Sequence, residues 1–96
     1  MKKTITTTIL ACLALAAGIA AAEVTKASFL GVTLPDGTVG NIYAGSKITN
    51  KAMFTQCDYQ SVDGKYLGAF GSNTFATTDA TALENFCLAH YNDRLQ

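Results

Sequence analysis

Tryptophan is absent from this chain, histidine and proline occur once each, and seven Lys and Arg face seven Asp and Glu. Each scarcity excludes something. With so few and such scattered bases, the electrostatic footprint that a phosphate backbone requires is missing, so nucleic acid is not an expected partner. Anionic lipid surfaces are disfavoured for the same reason. A lone His90 cannot supply the multi-ligand set of a structural zinc site. No Gly-x-Ser-x-Gly elbow exists for a serine hydrolase. No linker, repeat or low-complexity stretch divides the chain after its first two dozen residues.

What is present begins with a leader. Lys2 and Lys3 form a positive start, Ile9 to Ala17 form an apolar stretch, and Ala20-x-Ala22 fits a signal peptidase. The expectation is a cleaved signal peptide at 1–22 and a single domain at 23–96. The apolar run is shorter than the ~20 residues a membrane-spanning helix needs. A lipid anchor at Cys12 would leave a short, threonine-rich apolar segment and a greasy mature end, so it is the weaker reading. Cleavage removes Lys2, Lys3 and Cys12, leaving five bases against seven acids and two cysteines, Cys57 and Cys87. In the oxidising periplasm or outside the cell, two cysteines in so small a domain predict one disulfide. Closing a loop of this size contributes roughly 3 to 4 kcal/mol on the chain-entropy model.

Residues 28–34 alternate, which predicts a strand with Leu30, Val32 and Leu34 on one side. Pro35-Asp36-Gly37 supplies turn chemistry, and 38–44 returns as the partner strand. Residues 45–51 are polar and read as a loop. The second hairpin centres on Asp63-Gly64, a pair favoured in two-residue type I′ turns. That turn sets Val62 opposite Lys65, Ser61 opposite Tyr66, Tyr59 opposite Gly68 and Cys57 opposite Phe70. Met53, Cys57, Tyr59, Tyr66 and Phe70 then share the core face, and Gln56, Asp58, Gln60 and Lys65 the other.

Thr78 and Asp79 carry helix-start chemistry, and Thr81-x-x-Glu84 has capping-box spacing. The predicted helix runs from about 80 to 94, with Ala80, Leu83, Cys87, His90 and Arg94 along one side and Phe86 and Tyr91 flanking it. Turn register and helical period thus aim Cys57 and Cys87 at each other independently. The expected fold is α+β: two β-hairpins in a small antiparallel sheet of about four strands, one C-terminal helix across one face, and one disulfide.

The candidate chemistry is sparse. Cys87-x-x-His90 could contribute metal ligands or a thiol nucleophile with its base, but a disulfide consumes the thiol, and no metal or other cofactor is expected. Asp58 and Asp63 read as solvated strand and turn residues rather than the paired carboxylates of a glycosidase. Gly68 to Thr74 superficially resembles a phosphate loop, yet it lacks the lysine and leads out of a hairpin. Among the aromatics, Tyr43 is the best placed to be exposed. The binding candidates are therefore Tyr43, Asp58, Gln60 and His90. The leading functional expectation is an exported, non-enzymatic binding protein of the periplasm or secreted fraction, with another envelope or extracellular protein or a glycan as partner and the sheet edge open to self-association. The alternative is a small secreted hydrolase or redox enzyme using Cys87 and His90.

Overall fold

The computed structural model describes residues 22–96, so all but the last residue of the leader at 1–22 lies outside the described residues. Strands β1 (Glu23–Thr33), β2 (Val39–Ile48), β3 (Met53–Ser61) and β4 (Tyr66–Ser72) form one antiparallel sheet in the order β1-β2-β3-β4. Helix α1 (Ala80–Ala89) follows, and Tyr91–Asp93 adds one 3-10 turn. The two hairpins thus join in a single meander, and the α+β architecture expected from the sequence is present.

Alternation decides which face is buried. Ile42, Ala44, Cys57 and Tyr59 point to one side, where Leu83, Cys87 and Tyr91 of the C-terminal segment cover them. Cys57 and Cys87 are disulfide-bonded, with Cα atoms 5.7 Å apart and both side chains fully buried. Tyr59 donates its hydroxyl hydrogen to the Cys87 carbonyl at 2.5 Å, so sheet and helix are tied twice at one point. Its ring meets Tyr91 edge-on at 5.0 Å. The link from β4 to α1 is held by hydroxyls: Ser46 and Thr55 share a buried hydrogen bond, Thr55 donates to the Phe75 carbonyl, and the Thr77 amide donates to Ser46.

Those hydroxyls explain one correction. Residues 45–51 are not a loop, because β2 continues to Ile48 and only 49–51 turn. Polar Ser46 is buried in the strand because its oxygen is fully partnered. Thr49 then closes the turn, its hydroxyl accepting from the amides of Lys51 and Ala52.

In β1 the strand starts five residues earlier than 28, and Leu30 is 64% exposed rather than inward. A bulge between Phe29 and Val32, with Gly31 at φ 65°, inserts one extra residue and reverses the alternation. Phe29 therefore packs on the core in place of Leu30.

In the second hairpin, the Gly64 amide bonds the Ser61 carbonyl and the Ser61 amide bonds the Lys65 carbonyl. The loop is three residues, Val62 to Gly64, with Gly64 at φ 93°, not a two-residue type I′ turn. Ser61 consequently faces Lys65, which removes Lys65 from the polar row, and Gln60 faces Tyr66. A bulge at Leu67 then restores the expected pairs Tyr59 with Gly68 and Cys57 with Phe70. Tyr66 accordingly lies on the open face and is 59% exposed, while Leu67 packs against the core. Met53 keeps its face but is 41% exposed at the sheet's end.

Asp79 is the helix N-cap, accepting from the Ala82 amide at 2.9 Å, and the Thr81 alternative is not used. The helix ends at Ala89, with His90 as its C-cap, five residues short of the predicted 94. There the chain tightens so that Tyr91 becomes buried and Arg94 can turn back: its Nε donates to the Leu67 carbonyl at 2.6 Å, and its guanidinium lies 3.8 Å over the Tyr91 ring. Ala80, expected on the apolar stripe, is exposed, and Leu83, Cys87 and Tyr91 form the buried line instead.

Two outcomes follow. Replacing both Cys57 and Cys87 by alanine should lower unfolding free energy by about 3 to 4 kcal/mol, read from urea denaturation of the variant beside the oxidised protein. Burial pushes the Tyr59 phenol up from 10.0 to about 12. Between those values the folded chain keeps a proton that the unfolded chain has lost, so stability should fall as pH rises from about 10 to about 12. Denaturation midpoints across that window should show a shallower decline in Tyr59→Phe than in the parent.

Candidate functional site

With the helix on one side, the other side of the sheet is open. Its middle is a cross-strand row formed by Lys26, Gly45, Gln56 and Gly71, one residue from each strand. Two of the four have no side chain, so the row is a trough. On one flank lies the row Ser28, Tyr43, Asp58 and Ala69, and on the other Val24, Lys47 and Phe54. Two shallow, contiguous depressions of about 770 and 450 Å³ occupy this surface and share Lys26, Gly45 and Gln56.

The side chains around the trough offer complementary chemistry. Tyr43 and Phe54 present partly exposed rings on opposite flanks. Gln56 Nε2 donates to Asp58 Oδ1 at 3.1 Å, which orients the amide and leaves its oxygen and the second carboxylate oxygen available as acceptors. Lys26 and Lys47 supply donors along the β1–β2 side. A Cβ built on Gly45 would meet only the Thr25 carbonyl oxygen, at an ordinary contact distance of 3.8 Å, so packing does not require glycine there.

Of the residues singled out in the sequence, Tyr43 and Asp58 are direct cross-strand neighbours on this face, and Gln60 lies two residues further along β3, opposite Asn41. Lys26, Gly45 and Phe54 were not singled out, and Gly71 was considered only within the Gly68 to Thr74 stretch. Continuing the period-two alternation of 38–44 through residue 48 would have placed Gly45 and Lys47 on the open side. His90 is not part of this surface. It sits at the helix C-cap, where its ring stacks on Phe70 at 4.4 Å and Nδ1 meets Asp93 Oδ2 at 2.9 Å. Phe86 packs beside the His90 ring at 4.5 Å, tilted by 47°, and Phe75 stacks on Phe86 at 4.1 Å.

Cys87 is fully buried in the disulfide, so the thiol and imidazole pairing with His90 is not formed. Asp58 and Asp63 are also apart, since Asp63 is in the hairpin loop, where the Ser61 hydroxyl bonds its carboxylate and lowers its pKa. The pKa of Asp36 is lowered by the side-chain and backbone donors of Thr38, and Asp36 accepts a further bond from the Tyr91 hydroxyl at 3.1 Å. Both carboxylates therefore serve turns. Among the described residues no group of three or more His, Cys, Asp or Glu side chains could hold a metal ion. Among them, too, no helix is long and apolar enough to cross a membrane. Comparison with known protein families, characterised proteins and solved structures finds no match to this chain.

Proposed function

We propose that this chain is an exported, non-enzymatic binding protein that takes an extended ligand, a glycan chain, across the open face of its sheet. Export is supported by the leader at 1–22, and the disulfide is compatible with a periplasmic or extracellular location. The observation that carries the ligand reading is the glycine-floored trough between Tyr43 and Phe54. Sugar rings present apolar C–H faces and a rim of hydroxyls. Exposed aromatic rings suit the former, and the oriented Gln56 and Asp58 pair with Lys26 suits the latter. A shallow groove also suits a chain that enters and leaves the site, in contrast to an enclosed pocket for a small molecule. An extracellular protein segment is the competing ligand, and it would draw on the same face with main-chain pairing added.

Screening the purified protein against immobilised polysaccharides and cell-wall fragments should reveal a retained glycan. Tyr43→Ala and Gln56→Ala should each weaken that binding about tenfold, equivalent to about 1.4 kcal/mol. Gly45→Leu, which fills the trough without touching the core, should abolish it while leaving the thermal midpoint nearly unchanged. Retention unaffected by all three variants, or capture of proteins alone, would sink the glycan reading.

A further inference from the structure

The two edges of the sheet are treated differently. On β4, the Ala69 amide and carbonyl are both bonded to Leu95, and the Leu67 carbonyl accepts from Arg94. The C-terminal tail thus closes that edge, and a Cβ on Gly68 would collide with the Leu95 carbonyl oxygen at 2.7 Å. On the outer edge of β1, the side away from β2, no described segment pairs with the eleven-residue strand.

Which β1 groups are free follows from the ladder. Ala69 bonds outward to Leu95, so Asp58 opposite it bonds toward β2 and Tyr43 bonds back to Asp58. Ile42, Ala44 and Ser46 therefore bond toward β1, meeting Phe29, Ala27 and Thr25. The first turn gives the same parity, since the Leu34 amide bonds the Thr38 carbonyl. Val24, Lys26 and Ser28 are left with their amides and carbonyls pointing out of the sheet.

We infer that β1 is a self-association edge, pairing antiparallel with β1 of a second copy about a two-fold axis through Ala27. In that register the outward groups of Lys26 meet those of Ser28 in the second copy and the reverse, giving four main-chain hydrogen bonds. Ala27 faces its own equivalent, Thr25 faces Phe29, and Val24 faces Leu30. The neighbouring two-fold register, centred on Lys26, would set two ammonium groups opposite each other, which is destabilising. The chosen one covers Val24 and Leu30, 56% and 64% exposed in the single chain. Leu30 is the residue that the bulge turns out of the core, so this pairing gives its exposure a purpose. A two-fold axis normal to the sheet keeps both helices on one side and both open faces on the other. The troughs, each bounded by Val24, Lys26 and Ser28, then adjoin across the axis. The inference stands on the edge alone and holds whether or not the ligand is a glycan.

Sedimentation equilibrium of the disulfide-bonded protein over a concentration series should show a reversible monomer and dimer. Ser28→Pro deletes an amide that the internal ladder does not use, and Leu30→Lys places charge at the contact. Each should weaken dimerisation at least tenfold with the circular dichroism spectrum retained. A27C should form a cross-linked dimer under mild oxidation. A monomer at every concentration, a dimer indifferent to both Ser28→Pro and Leu30→Lys, or a dimer in which A27C does not cross-link would overturn the inference.

Discussion

The structure depends on one junction, where Cys57 on β3 and Cys87 on α1 are covalently joined and Tyr59 bonds the Cys87 carbonyl. A sheet with one helix has little apolar surface to bury, and a domain of this size is marginal without a staple. The disulfide narrows the unfolded ensemble, and the tyrosine satisfies a helix carbonyl at the same depth. Because both act at the sheet's centre, the buried residues gather around them: Ile42 and Ala44 on the neighbouring strand, Leu83 and Tyr91 one turn either side of Cys87. The hydroxyls of Ser46 and Thr55, with the Thr77 amide, secure the approach to the helix rather than the helix itself.

That junction was legible in the sequence because two independent periodicities converge on it. The strand register put Cys57 inward, and the helical period put Cys87 on the apolar stripe. Where one residue carried the signal alone, legibility failed. Asp63-Gly64 suits a two-residue turn, yet Gly64 serves equally as the left-handed residue of a three-residue loop. The register still came out right at Tyr59 and Cys57 because the Leu67 bulge offsets the longer loop by one residue. Nothing local marks that bulge. It is fixed from afar, by Arg94 drawing on the Leu67 carbonyl and Leu95 pairing with Ala69. The β1 bulge is similar, since the Gly31 amide bonds the Asn41 side chain ten residues away. The candidate site was half legible. Tyr43, Gln56 and Asp58 were placed by alternation, whereas the trough stayed hidden while 45–51 read as a loop.

The C-terminal segment does three things with few residues. Tyr91 completes the core, Arg94 stacks on it and reaches the Leu67 carbonyl, and Leu95 closes the β4 edge with two main-chain bonds. A continuous helix to 94 could not do this, because Arg94 and Leu95 would run away from the sheet. The early stop at His90 is thus a condition of edge closure. Protection of one edge and neglect of the other is informative, since an open strand of this length is a standing invitation to pair.

The open face is where the chain departs from what stability alone would select. Glycine in a strand interior costs roughly 0.5 to 1 kcal/mol relative to alanine through the freedom it loses. Gly68 repays that cost, because no side chain could sit between β4 and the Leu95 carbonyl at its positive φ. Gly45 does not: its φ is ordinary and a Cβ there would make only an ordinary contact with the Thr25 carbonyl oxygen. Central strands of a half-covered sheet favour β-branched or aromatic residues at such a position, which would strengthen the pairing with Lys26 and Gln56. A local rule broken without a return in packing is expected where function imposes its own demand. Gly45 lies between Tyr43 and Lys47 in sequence and between Lys26 and Gln56 across the sheet, at the centre of the surface proposed to bind. Keeping that position bare keeps a path open between the two flanking rings, and that is the physical reason to assign binding to this face and not to the aromatic stack around His90.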